Sequence, residues 1–418
     1  MDNQSLKGRT LYIPQMNYAG SRALAAVFRS VGIDATVSPD SDPQTLELGG
    51  KYTSGDECYP EKVTLGDFLK LTEMEDFKPE ETALFMATAN GPCRFGQYSI
   101  YIQKVMRDLG YDDVMIFAPS SSNGYGAEGE NATSLERTAW WAIVSSDILQ
   151  KMLLKTRPYE INEGDTDEVF KKGVDKLCHA IEQQGATGKE RLARIMEVLT
   201  TAREQFHQIP INYNPEFPLI GIVGEIFCRL NNFSNDNLIR RIEKFGAETW
   251  LSDITEWVWY TKVEHIRRLR EARKRFSKDM LIAKIKNSFQ KSDEHKLLKP
   301  FEEDFRGYEE PEVSELLDYN EPYLPCPPGA GGEMVLNIGR AIYLYEKGAD
   351  GVVDISPFTC MNGIVSEALY PRVSRDHEGI PIRTFYFDGT QLDLDRDIGI
   401  FIELARNYKR KKSKKRKT

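Results

Sequence analysis

The apolar positions change period several times along the chain, and those changes predict its elements. Thr10-Leu11-Tyr12-Ile13-Pro14 is a short apolar run of strand length. Residues 21–31 then read as a helix, and Ala35-Thr36-Val37 as a second strand. Residues 83–87 and 114–117 are two more strands. Between them Phe95, Tyr98, Ile102, Val105, Met106 and Leu109 recur at helical spacing. Strands alternating with helices imply a parallel sheet with right-handed crossovers. Ligands of such sheets bind beyond the carboxyl ends of the strands, which is where Cys93 falls.

Residues 134–208 are helical in pattern, with Trp140, Trp141, Ile143, Val144, Ile148 and Leu149 as a thick apolar face. A strand over 219–223 follows. The amide-rich Asn231 to Asn237 segment reads as a ligand loop or, more simply, as the cap of the next helix. One long charged helix is expected over 264–290, its Arg and Lys forming a solvated face. After a Pro/Gly-rich loop at 322–332, helices over 333–345, 361–369 and 398–408 alternate with strands over 352–355 and 383–387. The expected architecture is α/β. Two Rossmann/flavodoxin-like parallel-sheet units, 1–133 and 321–408, flank a largely helical middle segment, 134–320, with an inserted strand. A disordered basic tail, 409–418, closes the chain, and no tandem repeat of short period is visible.

Composition narrows the class. At 418 residues, two or three domains are natural. Apolar content of 40% with 28% charged residues fits a globular chain. No apolar run has bilayer-spanning length, and residues 1–7 lack the apolar core of a signal peptide, so a cytoplasmic location without membrane contact is expected. Net charge is −9, but the last ten residues hold eight Lys or Arg, leaving the rest at −17. An acidic body argues against nucleic acid as the main partner. The tail, with no aromatic residue among its like charges, reads as solvated.

Six cysteines are too sparse for a disulfide scaffold. Cys58, Cys93 and Cys360 each sit in a Gly/Pro-rich loop leading into a helix. A helix start gathers free N–H groups and the positive end of the dipole, a setting expected to favour a thiolate. Three thiolates around one point suit an iron–sulfur cluster. Their separations of 35 and 267 residues match no local ferredoxin or zinc pattern, so spacing alone leaves ligation and buried apolar thiols as equal alternatives. Cys178 and Cys228 are accounted for by packing. Cys326, in Pro325-Cys326-Pro327-Pro328, is a loop cysteine and an extra candidate ligand, though a plain loop thiol is the simpler reading. Arg94, beside Cys93, is an accessory candidate as a positive charge for a cluster or a substrate anion, or an ordinary surface ion pair. Gly331 and Gly332 precede a helix and read as a phosphate cradle or a hinge; without a following Lys-Ser/Thr they are no nucleotide-hydrolysis loop.

Taken together, several motifs resemble the 2-hydroxyacyl-CoA dehydratase superfamily. They are Gly55-Asp56-Glu57-Cys58-Tyr59-Pro60, Gly91-Pro92-Cys93-Arg94-Phe95-Gly96-Gln97-Tyr98, Arg157-Pro158-Tyr159-Glu160, the segment from Gly224-Glu225-Ile226 to Asn237, and Cys360-Met361-Asn362-Gly363. The likeness is to the dehydratase-like unit at the C-terminal end of large CoA-substrate-specific enzyme activase proteins, and it covers nearly the whole chain. It implies a single 4Fe–4S cluster between α/β domains, held by Cys58, Cys93 and Cys360, with one iron open. It further implies an ATP-dependent iron–sulfur activase as electron donor, since this chain has no ATPase signature. A second dehydratase-like subunit and radical dehydration or reduction of a substrate such as an acyl-CoA are also implied. An electron-transfer component and a cluster-free scaffold are the competing classes.

Overall fold

The strands expected in the first unit form and pair in parallel. In the computed structural model, residues 6–89, 91, 93–120, 132–390 and 393–415 are described. Strands β1 (Thr10–Ile13), β2 (Ala35–Val37), β3 (Thr82–Phe85) and β4 (Met115–Phe117) make a sheet in the order β2-β1-β3-β4, with Tyr12 opposite both Thr36 and Leu84. Helix α1 (Tyr18–Arg29) connects β1 to β2, α2 (Pro43–Tyr52) and α3 (Tyr59–Thr72) connect β2 to β3, and α4 (Tyr98–Asp108) connects β3 to β4. Local chemistry sets the boundaries. Asn17 Oδ1 accepts from Gly20 N at 2.7 Å to start α1, and Asp42 and Thr45 form a capping box with Pro43 in the first turn of α2.

Helices α5 (Ala132–Thr156), α6 (Asp165–Glu182) and α7 (Gly188–His207) pack with α1 around Trp140, Trp141, Leu149 and Val174, all buried. The second sheet combines β5 (Leu219–Gly224), β6 (Glu248–Leu251), β7 (Gly351–Pro357) and β8 (Ile382–Phe387), again all parallel, in the order β6-β5-β7-β8. Two of its strands therefore come from the segment expected to be helical, and the second unit begins near residue 219 rather than 321. β6 escaped the sequence reading because Glu248-Thr249-Trp250-Leu251 has no alternation; all four residues are buried. Short helices α8 (Ile226–Leu230) and α9 (Leu238–Lys244) lie between β5 and β6. Asn235 Oδ1 accepts from Leu238 N at 3.2 Å, and Asn231 Oδ1 accepts from Ser234 N at 2.8 Å, so the amide-rich segment is a capping loop.

The single helix expected over 264–290 is two helices, α10 (Ile254–Glu271) and α11 (Lys278–Leu298). Arg273 takes a left-handed φ of 56°, and Ser277 Oγ accepts from Met280 N at 3.2 Å, capping a fresh helix. α12 (Val313–Asn320) and α13 (Glu333–Glu346) then lead to β7, α14 (Met361–Asp376) joins β7 to β8, and α15 (Leu394–Lys415) follows.

α15 carries most of the predicted disordered tail. Its chain is helical as far as Lys415, because the lysines have partners on the body. Lys409 Nζ donates to the Pro215 and Phe217 carbonyls, each at 2.6 Å, and Lys412 pairs with Asp350, itself only 3% exposed, at 2.5 Å. Residues 416–418 lie outside the described residues.

The two units repeat each other. Their strand orders are equivalent, and in each a helix pair precedes the third strand. The pairs α2–α3 and α12–α13 meet at a glycine: a Cβ on Gly66 would stand 1.9 Å from the Thr45 carbonyl oxygen, and one on Gly339 would stand 2.1 Å from that of Leu316. This repeat is carried by topology and backbone approach, which a search for sequence periods does not register.

Candidate functional site

The repeat explains where the cysteines are. Cys93 follows β3 and Cys360 follows β7, the third strand of each unit, at the carboxyl ends where open α/β sheets bind ligands. Cys58 leads into α3, the helix immediately before β3. Cys326 lies in the loop before α13, its counterpart before β7.

Cys58, Cys93 and Cys360 share one local geometry. Each has extended backbone and occupies the N-cap position: Cys58 of α3, Cys93 of a 3₁₀ turn (Arg94–Gln97) that runs into α4, and Cys360 of α14. None makes a full side-chain cap bond, but Tyr98 hydrogen-bonds the Cys58 thiol, and the backbone N–H groups of Phe95 and Gly363 favour the charged forms of Cys93 and Cys360. Cys58 and Cys360 are buried, and Cys93 is half-buried. The charge of Cys93 acts on Cys360, and that of Cys58 acts on Cys93, so the structure brings all three into one neighbourhood from both units.

Arg94 ties their loops together. Its guanidinium donates through Nη1 to the Asp56 carbonyl, two residues before Cys58. Through Nη2 it donates to the Thr359 carbonyl at 2.8 Å and the Thr359 hydroxyl at 3.2 Å, one residue before Cys360. Adjacency to Cys93 thus places Arg94 at the junction of all three loops. Thr359 holds a left-handed φ of 65°, a conformation rarely adopted by a β-branched residue.

Buried acids surround the thiols. Glu225, at the end of β5, accepts from Phe227 N at 3.1 Å and Cys228 N at 2.7 Å, and Glu333 accepts from Ile226 N at 2.7 Å. Burial raises the Glu225 carboxyl, and burial with Glu225 beside it pushes Glu333 up to about 8. Burial with Glu57 nearby lifts Glu61 to about 7. The expectation of ready thiolates is reversed. Burial, then Glu333, pushes Cys93 up to about 12; burial, then Glu225, raises Cys360. Burial also raises Cys58, against the opposing pull of Arg94 and a hydrogen bond from Tyr98. Desolvation and buried carboxylates outweigh the helix starts.

Among the described residues no group of three or more His, Cys, Asp or Glu is drawn together tightly enough for a single metal ion. Two buried polar atoms near the cysteines have no hydrogen-bond partner among the described residues: Asn362 Oδ1, two residues after Cys360, and Glu61 Oε1, three after Cys58, in residues 3% and 4% exposed. Atoms of this kind also occur away from the cysteines, Ser145 Oγ and Thr166 Oγ1 among them, so they do not by themselves mark a site.

The accessory candidates divide. Cys326 is half-buried, and the charged groups acting on it are Glu321, Arg267 and Glu264, none of the other cysteines among them. Gly332 is the N-cap of α13 with a φ of 57°, and a Cβ on Gly331 would press to 2.7 Å from Val335. Conformation and space account for both glycines. Their loop borders the site nonetheless, since Gly332 faces the Asn362 side chain and the Gly329 carbonyl faces Gly91. Cys178 belongs to the helical core, whereas Cys228 is buried with Glu225 and Cys360 as neighbours. Asn90 and Pro92 of the Cys93 motif lie outside the described residues. The sequence reading passed over Glu225, Glu333 and Asn362, although Glu225 and Asn362 stand inside quoted motifs. No protein-family profile matches the chain, and no curated protein shows significant similarity to it.

Proposed function

We propose that the chain is an iron–sulfur protein of the 2-hydroxyacyl-CoA dehydratase type, holding one 4Fe–4S cluster through Cys58, Cys93 and Cys360 between its two units. The observation that carries this reading is the convergence of three N-cap cysteines from both units, their loops fastened by Arg94. The cluster would supply one-electron chemistry at an open iron. The chain's own part is to place three thiols, to exclude water by burial, and to set Arg94 as the positive charge acting on Cys58. A dehydratase or reductase role in the cytoplasm follows from the sequence resemblance. So do an ATP-dependent activase as electron donor, a second dehydratase-like subunit, and an acyl-CoA substrate. The alternatives are an electron-transfer component and a scaffold in which Cys58 and Cys360 are simply buried thiols.

Iron and acid-labile sulfide assays after anaerobic purification separate the cluster-bearing readings from the scaffold. About four irons per chain are expected, with most of the iron lost in Cys58→Ser, Cys93→Ser and Cys360→Ser. Cys178→Ser is the clean control and keeps its iron; Cys228 is too near Cys360 to serve as one. Iron-free wild-type protein after anaerobic reconstitution, or full iron in all three variants, would overturn the assignment.

A further inference from the structure

The turn between α10 and α11 carries a second feature, unrelated to the cysteines. Residues 266–286 hold nine Lys or Arg against two acids, a net +7 in a chain of net −9. Arg270, Arg273, Lys274, Arg275, Lys278 and Lys284 are exposed and form no ion pair among the described residues. Apolar side chains stand exposed on the same hairpin. Phe276 at its tip is 98% exposed, and Leu281, Ile285 and Phe289, one helical turn apart along α11, are 60%, 48% and 60% exposed. Met280, Asp293 and Leu297 take up the inward face, so among the described residues this stripe is left open. A solvated charged face, the expectation for this region, does not account for an apolar stripe at helical spacing.

The complementary surface is on the same molecule. Residues 302–321 hold nine acids against Arg306. Asp304, Glu309, Glu310 and Glu312 already pair with cations of their own chain, whereas Glu302, Glu303, Asp318 and Glu321 are exposed without a cationic partner among the described residues. We propose that the α10–α11 hairpin of one chain docks on the 302–321 segment of a second copy, and the reverse, in a two-fold dimer. Isologous symmetry satisfies both charged segments at once and covers the apolar stripe twice. An anionic membrane would also attract a basic, apolar hairpin. Outside residues 266–286, however, the chain carries −16, and that body would be repelled by the same surface. The root of the hairpin lies beside the loop that borders the cysteines: Arg267 donates to the Cys326 carbonyl at 3.4 Å, and Gly329 N donates to Glu264. Docking would therefore brace that loop, whether or not a cluster is bound.

Sedimentation velocity of the full chain at micromolar concentration and low salt tests the proposal. Wild type is expected at twice the 47.7 kDa chain mass. Leu281→Asp/Phe289→Asp should be monomeric with an unchanged far-ultraviolet circular dichroism spectrum. Arg273→Glu/Lys274→Glu should raise the dimer dissociation constant about tenfold or more. Mixing that variant with Glu302→Lys/Glu303→Lys should restore association. Monomeric wild type, a dimer indifferent to these changes, failure of the charge-reversed pair to associate, or co-sedimentation of monomer with phosphatidylserine vesicles through the hairpin would each overturn it.

Discussion

Arg94 donates to the backbone carbonyl of Thr359 at 2.8 Å, across 265 residues of sequence and from one α/β unit to the other. The bond joins the Cys93 loop to the Cys360 loop, and the same guanidinium reaches Asp56 of the Cys58 loop. Arg94→Gln is too short to span both loops. It is expected to weaken cluster retention about tenfold, the usual scale for losing a group that orients ligands. It should also lower the reduction potential of whatever cluster remains, because a positive charge is removed. Arg94→Lys keeps the charge but loses the fork, so it should preserve the potential better than the retention. Iron assay during dialysis and an anaerobic redox titration read the two effects separately. Full retention in both variants would show the clamp to be dispensable.

The close helix pairs make a packing prediction. Gly66→Ala and Gly339→Ala each introduce a Cβ within 2.1 Å of a carbonyl oxygen. Both variants should lose about 2 kcal/mol by overpacking, more than the roughly 1 kcal/mol that Ala gains over Gly in a helix. Urea unfolding is the measurement, and a neutral or stabilising result at both positions would mean the helices separate freely.

Removal of residues 409–418 should destabilise the protein. Truncation leaves Asp350 without Lys412 and the Pro215 and Phe217 carbonyls without Lys409. The expected cost is on the order of 2 kcal/mol, below that of a fully buried pair because Lys412 is partly exposed. Equal melting temperatures for full-length and 1–408 chains would refute the tail's structural role.

Glu294 supplies a pH test away from the cysteines. Burial, against the pull of a hydrogen bond from Trp259 Nε1 at 2.9 Å, pushes its carboxyl up to about 7 from 4.5. Below pH 4.5 the group is neutral in folded and unfolded chains alike. As pH rises through 7 the unfolded state ionises more readily, so this contribution to stability is lost. Glu294→Gln keeps the acceptor for Trp259 and removes the titration. Its melting temperature should gain on wild type between pH 4.5 and 7 and hold that gain above. A difference that is flat across this window would show that Glu294 titrates normally.

The local elements are legible in the linear pattern of residues. Apolar runs of strand length at 10–14 and 219–223 became β1 and β5, and helical spacing from Phe95 to Leu109 became the 3₁₀ turn and α4. Gly/Pro-rich loops put three cysteines at helix starts. These features depend on a residue's near neighbours, and a linear pattern records them. Tertiary structure alone decided which strands share a sheet, since pairing β5 and β6 with β7 and β8 spans more than a hundred residues. It decided that the lysines of α15 have carbonyls and Asp350 to hold them, which a run of like charges cannot announce. It also decided the protonation of the thiols. Helix starts favour thiolates, but burial beside Glu225 and Glu333 acts more strongly, and burial is a property of the whole fold.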